Sequence, residues 1–230
     1  MIYITGDIHG KPERLERNNL AAKGLAIGEG DYVIICGDFG LIWNPAKTDE
    51  EKWLQWLEQQ PFTTLFVDGN HENFDLLNAM AVTEWHGGKV HQIRQNIYHL
   101  MRGEIFTIEG NSFFCFGGAK STDKVFRKPH LSWWPQEEAT VDDLDNATNH
   151  LTEYDFTVDY VITHTAPRRF LEIQCPDDLV YTEDCMTSTV LTGLETLITY
   201  KRWYFGHFHQ DYYQKESKAA WMYRDIIVVE

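Results

Sequence analysis

Basic residues are scarce in this chain. Its 20 lysines and arginines stand against 35 aspartates and glutamates, a formal net charge of −15 at pH 7. Such a field repels long polyanions, which argues against a broad duplex-binding face and a long-duplex partner. Long apolar runs are missing too. No stretch reaches the roughly 18 apolar residues of a membrane span. The opening Met1-Ile2-Tyr3-Ile4-Thr5-Gly6-Asp7 has neither the basic nor the apolar segment of a secretion signal. Cysteine is sparse: Cys36, Cys115, Cys175 and Cys185 show no C-x-x-C spacing, and two lie inside apolar runs. That pattern suits reduced thiols in a cytosol, with Cys36 a small buried hydrophobe. No internal repeat or low-complexity linker is present. The expectation is a soluble cytoplasmic protein with no membrane partner and its oligomeric state open.

What is present is ordinary globular material. Hydrophobic residues make up 43% and charged residues 24%, which excludes wholesale disorder. A length of 230 residues suits a single domain over 1–230, burying on the order of 70% of the unfolded chain's surface.

The first 70 residues read as strand, helix, strand, helix, strand. Ile2 to Thr5, Tyr32 to Cys36 and Thr64 to Val67 are short apolar runs, the pattern of strands buried on both faces. Between them, one helix opens at Pro12 and runs to Ala22. A second spans Thr48 to Gln60, with Trp53, Trp56 and Leu57 on its core side and Pro61 just past its end. This alternation predicts parallel βαβ units. From Val90 to Phe116 the chain turns β-rich, and breaks at Arg102-Gly103 and Glu109-Gly110-Asn111 predict hairpins. Alternation resumes with helices at 136–150 and 188–199, strands at 160–163 and 203–205, and strand-like ends at 211–213, 219–223 and 226–229.

Polar residues able to hold a metal recur just after these strands. The loops read Gly6-Asp7-Ile8-His9-Gly10, Gly37-Asp38-Phe39-Gly40, Asp68-Gly69-Asn70-His71-Glu72, Thr163-His164-Thr165 and Gly206-His207-Phe208-His209. In open α/β sheets ligands bind beyond the carboxyl ends of the strands, so these five loops converge. Asp-x-His and His-x-His put both side chains on one face of an extended segment. Mixed carboxylate and imidazole donors suit manganese, iron, zinc, cobalt or nickel better than calcium or magnesium. Each group alone has a plainer explanation: a single Asp after a strand is ordinarily a turn or cap residue. Five blocks in order carry the argument. His86, His91, His99, His130 and His150 stand outside them and read as surface or packing residues.

In order, Asp7-Ile8-His9, Gly37-Asp38, Gly69-Asn70-His71-Glu72, His164 and Gly206-His207-Phe208-His209 resemble the motifs of the calcineurin-like metallophosphoesterases, in particular small bacterial members. The resemblance implies an α/β fold, a two-sheet β-sandwich flanked by helices in four αββα layers. It also implies two divalent ions, manganese foremost. Asp7, His9, Asp38 and His209 would hold one, and Asp38, Asn70, His164 and His207 the other, with Asp38 bridging. His71 would assist chemistry on the phosphoryl group, with Glu72 or another carboxylate orienting it from behind. The activity implied is cleavage of a phosphomonoester or phosphodiester by a dinuclear, metal-activated bridging hydroxide.

A serine/threonine-type protein phosphatase and a nucleotide phosphodiesterase or nuclease share these motifs. The first is disfavoured because Gly37-Asp38-Phe39-Gly40 lacks that branch's Asp-Arg-Gly. A non-catalytic scaffold on the same fold would be expected to have lost ligands, and none is missing. The stretch from Gly117 to Pro135, with Gly-Gly-Ala, Ser-x-Asp-Lys and the start of Trp-Trp-Pro-x-Glu, also resembles those bacterial members. Its Lys120 and Arg127 are candidate substrate-binding cations at the rim.

Overall fold

The structure, a computed structural model, describes residues 1–44, 46, 48–174, 182–213 and 218–229. Five apolar runs become parallel strands. They are β1 (Ile2–Thr5), β2 (Tyr32–Ile35), β3 (Thr63–Phe66), β9 (Tyr160–Thr163) and β10 (Arg202–Phe205). The remaining strands are β4 (Val82–Trp85), β5 (Gly88–Arg94), β6 (Ile97–Leu100), β7 (Glu104–Ile108), β8 (Asn111–Phe116), β11 (Ala219–Trp221) and β12 (Ile226–Val228). Helices are α1 (Arg17–Ala22), α2 (Thr48–Glu58), α3 (Phe74–Leu77), α4 (Val141–Glu153), α5 (Arg168–Gln174) and α6 (Met186–Glu195).

Two mixed sheets result. One runs β12-β1-β2-β3-β6-β5-β4, the other β11-β10-β9-β8-β7. Strands β1, β2, β3 and β6 are parallel neighbours, as are β8, β9, β10 and β11. Three apolar layers hold the stack. Ile4, Ile34, Leu65, Phe106, Phe113 and Ile162 pack between the sheets. Val33, Phe66, Leu54, Leu57 and Leu77 join the outer face of the first sheet to α1, α2 and α3. Phe116, Trp203, Leu151, Leu171 and Leu191 do the same for the second sheet with α4, α5 and α6. This is the expected four-layer αββα sandwich, two sheets flanked by helices. Among the described residues no helix is long and apolar enough to cross a membrane.

Several boundaries depart from expectation, each for a local reason. The single helix from Pro12 to Ala22 is two pieces. Pro12–Leu15 is 3₁₀, Glu16 turns extended (φ −65°, ψ 142°), and α1 begins at Arg17. Arg102-Gly103 is not a hairpin: β6 and β7 lie in different sheets, and the chain crosses between them there. Glu109-Gly110 is a two-residue hairpin loop, both residues with positive φ (51° and 76°) that suit the twist of the strands it joins. The helix expected from 136 starts at 141, where Thr140 and Asp143 form a reciprocal capping box. Residues 211–213 contribute an isolated bridge, Tyr212 to Trp221, rather than a strand. β4, α3 and α5 add to the expected elements; Val82–Glu84 are exposed, so β4 carries no inward-facing pattern. Cys36, Cys115 and Cys185 are free and buried, while Cys175 lies outside the described residues.

Candidate metal centre

Asp7, Asp38, Asn70, His164 and His207 all follow the carboxyl ends of β1, β2, β3, β9 and β10. The shared strand direction brings the ends of both sheets to one place. Asp7, Asp38, Asn70 and His164 are buried there, with His9 partly and His209 more exposed. One oxygen or nitrogen from each of Asp7, His9, Asp38 and His209 falls in a group whose members all lie within 4.8 Å of one another. His9 Nε2 is 3.0 Å from His209 Nε2. His209 Nε2 is 3.2 Å from Asp7 Oδ2, and His9 Nε2 is 3.7 Å from Asp38 Oδ2.

A second donor group sits behind the first. His164 Nε2 lies 3.3 Å from Asp38 Oδ1 and 3.2 Å from Asn70 Oδ1. The His164 and His207 rings meet edge to face with centroids 4.9 Å apart. His164 Nδ1 donates to the Cys36 carbonyl at 2.8 Å, which leaves Nε2 to face the carboxylate. Asp38 is therefore the hinge of the site: Oδ1 addresses the His164 and Asn70 side, and Oδ2 the His9 side.

Backbone geometry carries much of this arrangement. His9, Asp38, His207 and His209 all have left-handed φ (46°, 48°, 70° and 52°), an uncommon conformation for residues other than glycine. Interlocking hydrogen bonds hold them. The Ile8 and His9 amides donate to the Asp38 carbonyl at 3.2 and 2.8 Å. The His207 amide donates to the Asp7 carboxylate at 3.0 and 3.2 Å, and the His71 amide donates to Asp38 Oδ1 at 2.8 Å. Glu72, fully buried, accepts from the Phe39 amide at 2.7 Å and the Gly40 amide at 3.3 Å. It thus braces the turn that carries Asp38 rather than backing His71. Two loops approach so closely that a side chain is excluded: a Cβ on Gly69 would strike the Asp38 carboxylate, and one on Gly206 that of Asp7.

The electrostatics match a cation site. Burial disfavours charge on Asp38, but the imidazoles of His164, His71 and His9 outweigh it and hold the carboxyl well below its usual range. Burial opposes a proton on His164, yet the Asp38 carboxylate overrides this and lifts the imidazole to about 10. His207 is pushed down to about 3 by burial and by the neighbouring His164. With no cation the site thus keeps a positive charge beside Asp38 in the form of a proton. A divalent ion would displace it, since metal binding requires neutral imidazole. Donor types, separations and charge all fit divalent ions.

Outside the donor groups, His71 lies with its ring centroid 5.1 Å from that of His9. It lines a cavity of about 310 Å³ together with Asp38, Asn70, Thr122, Asp123, Arg127, His207 and His209. Burial lowers the His71 pKa, with the Asp38 carboxylate opposing. Arg127 reaches the same cavity, its Nε 2.7 Å from Asp123 Oδ1 and one terminal nitrogen donating to the Ser132 carbonyl at 3.2 Å. Lys120 does not line it; its ammonium donates to the Glu183 carbonyl at 3.0 Å.

The family model for calcineurin-like phosphoesterases matches residues 1–211. The chain belongs to this family. Human lariat debranching enzyme is 23% identical over 185 residues, covering 73% of this chain, which spans 32% of that enzyme's length. A candidate 5′-nucleotidase from Staphylococcus aureus, solved with α-ketoglutarate, superposes with a TM-score of 0.54 at 16% identity. That match covers 98% of this chain and 49% of the other. Phosphopantetheinyl hydrolase from Mycobacterium tuberculosis gives a TM-score of 0.49 at 15% identity, covering 96% and 87%.

Some residues of this calcineurin-like phosphoesterase that shape the centre left no motif to find. Arg14, on the 3₁₀ turn, donates to the Asp7 carbonyl at 2.8 Å and also to the Tyr223 carbonyl, tying the first loop to the C-terminal region. The Cys36 contribution is its carbonyl, while its side chain packs between the sheets. Neither role has a signature in residue type.

Proposed function

We propose that this phosphoesterase hydrolyses a phosphomonoester or phosphodiester at a dinuclear centre. Asp7, His9, Asp38 and His209 hold one divalent ion, and Asp38, Asn70, His164 and His207 the other. The observation that carries this reading is the division of the Asp38 carboxylate between two donor groups. Manganese is the proposed metal, with iron, zinc, cobalt or nickel as alternatives for the same donors. When bound, such a pair supplies Lewis acidity and an activated water for in-line attack on phosphorus.

The chain's own residues do the rest. Asp38 and the imidazoles fix the ions against the ends of both sheets. His71, beside the ligands and facing the cavity, donates a hydrogen bond or proton to the departing oxygen. Arg127 turns from Asp123 towards the phosphoryl oxygens, exchanging one anion for another. Two ions contribute +4 against −2 from Asp7 and Asp38. An acidic protein therefore still offers phosphate a positive pocket.

A nucleotide or short single strand is the leading substrate alternative to a simple monoester. Its test is a substrate panel. Purified protein is expected to cleave p-nitrophenyl phosphate or its bis ester with manganese, and to lose that activity on chelation. Full activity after exhaustive chelation would refute the proposal.

A further inference from the structure

The segment between β8 and α4 contains two stretches that the metal ligands do not explain, Ser121-Thr122-Asp123-Lys124 and Trp133-Trp134-Pro135-Gln136-Glu137. The fold joins their ends. Ser121 and Glu137 are 2% and 1% exposed. The Ser121 amide donates to Glu137 Oε1 at 2.8 Å, and its hydroxyl is 2.7 Å from Glu137 Oε2. Lys124 lies over the Trp133 ring, 5.5 Å from its centroid, and joins the two halves again.

The third member of this chain is Asn70. Its Nδ2 donates to Ser121 Oγ at 3.2 Å, while its Oδ1 faces His164 Nε2 at 3.2 Å. We propose that Ser121 and Glu137 are positioning residues that set the direction of the Asn70 amide, so that its oxygen, rather than its NH₂ group, is offered to the second ion. This rests on the dinuclear reading above.

The argument is a count of donors. A serine hydroxyl has one proton. Burial pushes the Glu137 pKa up, but the Ser121 amide on Oε1 and the Ser121 hydroxyl on Oε2 oppose it by donating to the carboxylate, so the hydroxyl proton goes to Oε2 and Ser121 Oγ is left as an acceptor. The Asn70 atom facing it must then be the NH₂ group, which turns the carbonyl oxygen inward. An amide pointing the other way would set two N–H donors against a cation.

This direction can be reversed with little change of shape. In Glu137→Gln the side-chain oxygen still accepts the Ser121 amide, but the NH₂ group now donates to Ser121 Oγ. The hydroxyl proton is then directed at Asn70 and favours the flipped amide. Ser121→Ala removes the relay outright.

The test is manganese titration of the full chain by calorimetry, with thermal melting of the metal-free forms in parallel. Wild type is expected to bind two ions. Glu137→Gln and Ser121→Ala are expected to weaken one ion by about 10–100-fold, the range for residues that orient metal ligands. The other ion should be unaffected, with the Glu137→Gln melting point close to wild type. Ser121→Thr, which keeps the hydroxyl, should recover affinity relative to Ser121→Ala. Two ions bound at wild-type affinity in both variants would overturn the positioning role alone. Equal weakening of both ions with a lowered melting point would reduce it to a structural role and overturn it too. A wild type that binds fewer than two ions would overturn the dinuclear reading and this inference with it.

Discussion

Replacing Glu72 tests how the turn bearing Asp38 is held. Its carboxylate accepts the fully buried Phe39 amide at 2.7 Å and the partly buried Gly40 amide at 3.3 Å. An orphaned buried donor costs about 1–3 kcal/mol. Phe39 should incur most of that range, while water relieves Gly40 in part, so Glu72→Ala should cost about 2–4 kcal/mol before any cavity penalty. That is a large share of the 5–15 kcal/mol typical of a whole domain. Glu72→Gln keeps an oxygen for the Phe39 amide and loses the longer bond. It also removes an acid whose pKa is raised by burial and by the Asp38 charge. Its cost should be about 1 kcal/mol. Urea denaturation of the metal-free proteins reads both values, and manganese titration reads the consequence for Asp38. The alanine variant should lose about tenfold or more in metal affinity and the glutamine variant only a few-fold. Equal damage from the two substitutions, or an alanine variant within 0.5 kcal/mol of wild type, would refute the reasoning.

Three further outcomes are expected. His71→Ala should retain both ions by metal analysis while turnover falls about 10²–10⁴-fold; metal content falling in step with rate would instead make His71 a ligand. Arg127→Ala should raise KM for bulky phosphate esters more than for p-nitrophenyl phosphate, and an equal effect on both would leave Arg127 as packing against Asp123. The third concerns acid. His91, its Nδ1 3.0 Å from His99 Nδ1, is pushed down to about 4 by burial and by His99. The unfolded chain, with a histidine pKa near 6.5, binds that proton first. Stability from this group is therefore full above pH 6.5 and lost as pH falls through 4, by up to about 3 kcal/mol at 1.36 kcal/mol per pKa unit. Melting curves of metal-free wild type and His91→Gln between pH 7 and 4 should converge towards acid; parallel curves would contradict it.

Sequence pattern encodes strands most plainly where burial is two-sided. Tyr32 to Cys36 is an unbroken apolar run because both faces of β2 are covered. With such strands located, the motif loops followed as their carboxyl ends. Other features rest on relations that residue types do not encode. Nothing in His9, Asp38, His207 or His209 announces a left-handed backbone, which the bonds from other loops impose. Arg102-Gly103 has the composition of a tight turn. Yet the Arg102 guanidinium is drawn to buried Asp68, at 2.5 Å and 3.0 Å, and to the carbonyls of Gln136, Glu137 and Glu138, while the chain passes to the other sheet. His91 and His99 are packing residues, buried and stacked, but nothing in their types pairs His99 with Asp68, 3.1 Å away.

The missing side chains at Gly69 and Gly206 have a consequence for any attempt to rebuild this centre elsewhere. The hollow at Gly69 is shaped to a carboxylate that arrives from the turn after β2, and the hollow at Gly206 to one from the turn after β1. Each turn is thus a mould for another's casting. A designer who transplants a single motif carries away a hollow without its filling, so these four turns have to travel together with both sheet ends that support them.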